Sequence, residues 1–190
     1  MEPTRESLYA ADLKNAALVN AVLGCAAGFA MGFAGGLAVR APLRGIFVGL
    51  SAQAVGLLVG ALAALAFIPV FHPVSPRPFQ TVTTDVWLPL MSHASVWGSI
   101  GAVGGAAFSI GSGYKPRFRS AIGSAIVGAL LAAVLFQLIG TCLPLDAGAT
   151  GPVARWSVVR LMAMLLPNLM IAAGAALGTV LEVRLSRPSQ

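Results

Sequence analysis

Five apolar stretches divide the chain between Leu13 and Val183, and none holds an acidic or basic residue in its central part. They run from Leu13 to Val39, Gly45 to Val70, Leu88 to Gly113, Phe118 to Leu143 and Ser157 to Val183. A helix needs about 20 mostly apolar residues to cross the hydrocarbon of a bilayer, and each stretch is long enough. Soluble domains carry about a quarter charged residues. Here 9% of 190 residues are charged, too few to cover the surface of a water-soluble fold. The sequence therefore predicts an all-α, polytopic transmembrane bundle of five spans, a single integral membrane domain over residues 1–190.

The sparse charges set an orientation. Arg40 and Arg44 lie between the first and second stretches, and Lys115, Arg117 and Arg119 between the third and fourth. The other two connections offer Arg77 with Asp85, and Arg155 with Asp146. Lysine and arginine concentrate on the cytoplasmic side of a membrane. The five basic residues thus read as cytoplasmic anchors, with the N-terminus outside, the C-terminus inside, and the cytoplasmic (inner) membrane as location. Arg184 and Arg187 in the tail agree; Arg5 and Lys14 do not. Trp87 and Trp156 fall at the outer boundary, where an aromatic belt belongs. The net charge of +6 collects at helix ends and leaves no soluble basic face, so nucleic acid is excluded as a partner. The mixed-charge start, Met1 to Glu6, does not read as a cleavable leader. Residues Ser7 to Lys14 extend the first helix into the interface. Pro69, Pro73, Pro76 and Pro78 mark an extended outer loop, and the β-branched run Phe79 to Trp87 suits a short strand. Asp146 to Gly151 reads as an irregular outer loop.

Glycine spacing supplies the packing rule. Gly24, Gly28, Gly32 and Gly36 fall every fourth residue, and Gly101, Gly105, Ser109 and Gly113 repeat the ladder 77 positions later (101 − 24). Residues four apart stack on one helix face. Lipid is as apolar as leucine, so small residues drive association by letting backbones approach, with dispersion and Cα–H···O contacts. The ladders read as glycine-zipper faces. Val55 to Ala61 resembles Val127 to Ala133 at an offset of 72 (127 − 55). Residues 13–70 and 88–143 thus form an internal parallel repeat, related by a twofold along the membrane normal. The outer loop over 71–87 separates them, and a fifth helix over 157–183 follows. Gly45 and Gly49, and Gly174 and Gly178, continue the spacing. The partners implied are the lipid bilayer and a second copy or another membrane subunit.

No chemistry-bearing motif emerges. Intramembrane ionisable residues mark proton relays, and their absence at the midplane argues against a proton-coupled pump. Asn20, Gln53, His93, Gln137 and Asn168 are the intramembrane polar residues, read as hydrogen-bonding glue between helices. Asn168 follows Pro167 and is placed to serve a carbonyl that the proline frees. His72 and His93, 21 apart, are not a ligand pair. Ser92, Ser95 and Asp85 lie near them, but no Gly-x-Ser-x-Gly elbow or phosphate loop occurs. Cys25 and Cys142 are isolated. No catalytic, cofactor or metal site is expected. The chain reads as a non-catalytic structural, accessory or assembly component. The alternative is a small channel or facilitator with its path between the repeats, along the amides; an enzyme using the outer histidines ranks third.

Overall fold

The computed structural model describes residues 4–71, 87–113, 118–142 and 157–185. They form five helices: α1 (Arg5–Ala38), α2 (Pro42–Phe71), α3 (Trp87–Ser112), α4 (Phe118–Cys142) and α5 (Ser157–Leu185). No strand occurs among the described residues. All five helices are long and apolar enough to cross a membrane. His72, Trp156, Lys115, Arg117 and the segment 146–151 expected as a loop lie outside the described residues, as does the expected strand Phe79 to Trp87 except for Trp87, which begins α3.

Helix ends follow the sequence closely, with two differences. α1 starts eight residues before Leu13 because Thr4 caps it, its side chain accepting from the Ser7 amide at 3.3 Å. Pro69 lies inside α2 and not in the loop beyond. A proline there removes one backbone donor and leaves the Leu65 carbonyl without its helical partner.

Both hairpins turn on a left-handed residue. Arg40, with φ of 57°, follows α1 and donates its amide to Leu37 O at 3.0 Å; Ala41 donates to Gly36 O at 2.8 Å. Gly113, with φ of 74°, ends α3 and donates to Ile110 O at 3.1 Å. Glycine holds that conformation freely, whereas a residue with Cβ gives up roughly 1–2 kcal/mol.

These turns set the register of each antiparallel pair. In the first hairpin Gly24 faces Gly56, Gly28 faces Ala52, Gly32 faces Gly49 and Gly36 faces Gly45. In the second, Gly101 faces Ala125 and Gly105 faces Ala121. Gly24 and Gly56 are equidistant from Arg40 (56 − 40 = 40 − 24), and Gly101 and Ala125 from Gly113 (125 − 113 = 113 − 101). Aligned turn on turn, the two helix pairs would match at a shift of 73 (113 − 40), not at the ladder's 77. The ladder slips by one rung, so Gly28 and Gly32 match Gly101 and Gly105. Trp97 takes the place of Gly24 and His93 that of Asn20 (97 − 24 and 93 − 20).

α3 is the centre of the bundle and touches all four other helices. It packs against both α1 and α2, while α5 packs mainly on α4. A twofold exchanging the hairpins would match the α2–α3 contact with one between α4 and α1. Among the described residues α1 and α4 share no interface of that extent, and α4 packs on α5 instead. The core is small-residue rich. Ala125, Ala129, Ala132 and Ala133 of α4 are buried with Ile100 of α3 and Ile171 of α5. At Gly104 three helices converge: a Cβ there would meet Ile171 Cγ2 at 3.0 Å and Met31 Cγ at 3.4 Å. Leucines and valines of α2, α4 and α5 face outward, among them Leu58, Leu62, Leu131, Leu138, Leu165 and Leu169.

Candidate functional site

The most constrained part of the molecule is the seam between α1 and α2. Each rung brings backbone against backbone. A Cβ on Gly32 would lie 2.7 Å from Gly49 N, and one on Gly28 would lie 2.6 Å from the Ala52 carbonyl carbon. One on Gly24 would overlap the Gly56 carbonyl, and one on Gly36 the Gly45 backbone. Gly60 extends the seam one rung further, against the Asn20 carbonyl. Gly45, Gly49, Gly56 and Gly60 of α2 are all buried.

In the second hairpin the seam is partial. Gly101 and Gly105 press on α4, where a Cβ would lie 2.9 Å from Ala125 O and 2.5 Å from Ala121 O. Ser109 is buried. Gly113 is exposed at the turn and meets the Arg44 guanidinium, not a helix face. The loop-side half holds an aromatic wedge instead of glycine. Trp97, 2% exposed, meets Phe136 edge-on at 5.5 Å between ring centroids. His93 lies 5.0 Å from Trp97 and 5.2 Å from Phe136.

Gln137 joins this wedge, buried beside His93. His93 Nδ1 lies 2.8 Å from Pro89 O and 3.2 Å from Gln137 Nε2. One ring nitrogen cannot donate and accept at once. A proton on Nδ1 is donated to the Pro89 carbonyl, and the Gln137 amide then presents its oxygen. Without that proton, Nδ1 accepts from the Gln137 amide N–H. Tautomer and amide rotamer are thus linked. Interhelical hydrogen bonds in membranes average about 0.6 kcal/mol and reach about 1.7. Gln137→Leu is therefore expected to lower stability by about 0.6 kcal/mol and no more than about 1.7, read from the midpoint of thermal unfolding in detergent.

The other amides do not converge on this node. Asn20 Nδ2 donates to Ala16 O at 2.9 Å, within its own helix. Asn168 Nδ2 donates to Met164 O at 2.9 Å. The carbonyl that Pro167 leaves without its helical donor is that of Ala163, one residue away, so Asn168 does not serve it. Gln53 is half-buried on α2, its backbone against Gly28.

Two serines escaped the sequence reading. Ser120 Oγ donates across the α4–α5 interface to Gly178 O at 3.0 Å, and Ser124 Oγ donates to Ser120 O at 2.6 Å. A Cβ on Gly174 would overlap the Ser124 carbonyl. The four-residue spacing of Ser120 and Ser124, matched to that of Gly174 and Gly178, was the available signal.

Between the hairpins, α1 and α3 meet at Gly35 against the Phe108 carbonyl and Gly111 against the Gly32 carbonyl. An apolar groove of about 550 Å³ lies to one side, between α2 and α3, and opens outward. Phe47, Ala52, Val55, Val103, Ala106 and Ile110 are among the residues that line it. Asn20, Gln53, Gln137 and Asn168 do not line it. Arg40, Arg44 and Arg119 are exposed at the turn end of the bundle. Comparison with protein-family models, curated proteins and solved structures returns no match.

Proposed function

We propose that the chain is a five-span integral protein of the cytoplasmic membrane that serves as a packed scaffold, an accessory or assembly component and not a catalyst. One observation carries this reading: the α1–α2 seam, closed backbone to backbone over four consecutive rungs. Such a seam uses helix surface for contact alone and leaves no room for a ligand. The polar groups support the same view, because Asn20 and Asn168 bind carbonyls of their own helices. We read the hairpins as two copies of one unit, both turning at the cytoplasmic face, with the N-terminus outside and the C-terminus inside. The outward leucine faces of α2, α4 and α5 meet lipid, a second copy or another membrane subunit. A channel between the hairpins would need the Gly35–Phe108 and Gly32–Gly111 contacts to part.

Two measurements test this. Reconstituted in liposomes, the protein should pass potassium ions, protons and glycerol no faster than protein-free vesicles do. A flux above that background, abolished by Asn20→Leu or Gln53→Leu, would overturn the scaffold reading. For orientation, the background is Cys25→Ala with Cys142→Ala. There Ser7→Cys should react with an impermeant maleimide in intact cells, and Arg44→Cys only after the cells are opened. The reverse pattern would invert the topology.

A further inference from the structure

We propose that the groove between α2 and α3 holds one anionic phospholipid, with an acyl chain in the trough and the phosphate at Arg44. The inference rests on the membrane reading above and names a ligand which that reading leaves open.

Shape comes first. On α2 the groove runs from Phe47 to Val55, nine residues, whose ends are about 12 Å apart along the helix. One leaflet of hydrocarbon is about 15 Å deep. The trough thus matches most of one leaflet, on the side where both hairpins turn. Four of its lining residues are alanines, whose short side chains leave space between the helices. Its single hydroxyl, Ser51, already donates to Phe47 O at 3.0 Å and asks for no polar partner. An α-helix of the same length, about 10 Å across, would occupy roughly 900 Å³. The 550 Å³ present is too narrow for a helix and suits a flexible hydrocarbon chain.

Charge defines the headgroup. Phe47 lies three residues after Arg44, and Ile110 three before Gly113, so the groove ends where the Arg44 guanidinium meets Gly113. Arg44 stands in the first turn of α2, which contains no acidic residue. A helix N-terminus carries a partial positive charge, so a cation there lacks its natural complement and an anion supplies it. No Asp or Glu occurs between Asp12 and Asp85, or between Asp85 and Asp146. The turn end therefore gathers the exposed Arg40, Arg44 and Arg119, with no acidic residue in the first turn of α2 or of α4. Guanidinium and phosphate pair by two parallel hydrogen bonds. A phospholipid with net negative charge satisfies both halves of the site.

The test uses the full chain in detergent, with equimolar dioleoyl-phosphatidylglycerol and dioleoyl-phosphatidylcholine, and native mass spectrometry to count retained lipid. One phosphatidylglycerol per chain should be retained, at least tenfold over phosphatidylcholine. Arg44→Gln should abolish that preference, and Arg44→Lys should keep most of it. Arg40→Gln removes the same charge from a residue outside the groove and should leave the preference intact. Ala106→Leu fills the trough and should reduce retention of both lipids about tenfold. Equal retention of the two lipids by the unaltered chain overturns the proposal. So does an unchanged preference in Arg44→Gln, or an equal loss in Arg40→Gln. Displacement by millimolar glycerol phosphate would assign the site to a soluble anion and also overturn it. Carbonate washing of membranes is read separately. Release of the chain there would sink the membrane reading itself, whatever the lipid counts.

Discussion

Gly28→Leu should prevent the first hairpin from closing. A Cβ at residue 28 would already lie 2.6 Å from the Ala52 carbonyl carbon and 3.0 Å from Gln53 N. Leucine adds three further carbons behind it. Overpacking a well-packed interior costs about 1–3 kcal/mol when side chains can shift, and occasionally more. Here the obstacle is backbone on both sides, so at least about 3 kcal/mol is expected. That is a large share of a total stability of about 5–15 kcal/mol. The measurements are the yield of monodisperse protein in detergent and the midpoint of thermal unfolding. Gly123→Leu is the matched control, since a Cβ there meets nothing within 4 Å. It should be neutral or stabilising, because glycine costs about 1 kcal/mol in a helix interior. Wild-type assembly of Gly28→Leu would remove the seam from any account of this fold.

Trp97→Ala carries the second largest expected loss. The side chain is 2% exposed and in ring contact with His93 and Phe136. Truncating a large buried aromatic costs about 3–5 kcal/mol. For a bundle surrounded by lipid the transfer term is weak, and most of the cost is lost dispersion around an unfilled cavity. Each aromatic pair adds about 0.5–1.5 kcal/mol. The damage should stay local. Hydrogen exchange should quicken in the loop-side halves of α3 and α4, while α1 and α2 keep their protection, because no wedge residue belongs to the first hairpin. Uniform loss of protection across all five helices would contradict this division.

Helix number and placement were legible because one quantity, apolar length, decides both. Leu88 to Gly113 and Phe118 to Leu143, read from the sequence, differ from α3 and α4 by one residue at most ends. The register was not legible. A ladder with a four-residue period looks the same after a slip of four, so Gly101 could be matched to Gly24 or to Gly28. Only the turn position breaks that degeneracy, and the left-handed conformation of Arg40 is invisible in a residue that prefers helix. The start of α1 was missed in part because its cap, Thr4, lies amid mixed charges and not before an apolar run. The His93–Gln137 contact joins residues 44 apart on two helices, a pairing no local pattern encodes. The unequal contacts of the two helix pairs have a similar cause: sequence similarity relates pieces of chain, whereas α5 decides what α4 packs against.

Of the five helices, the most closely packed pair also comes first in the chain. α1 and α2 complete their seam from their own residues, so this pair can close as soon as residue 71 has emerged. α3 then docks onto a finished two-helix template. Chain order thus permits an assembly in which each newcomer finds its surface already built.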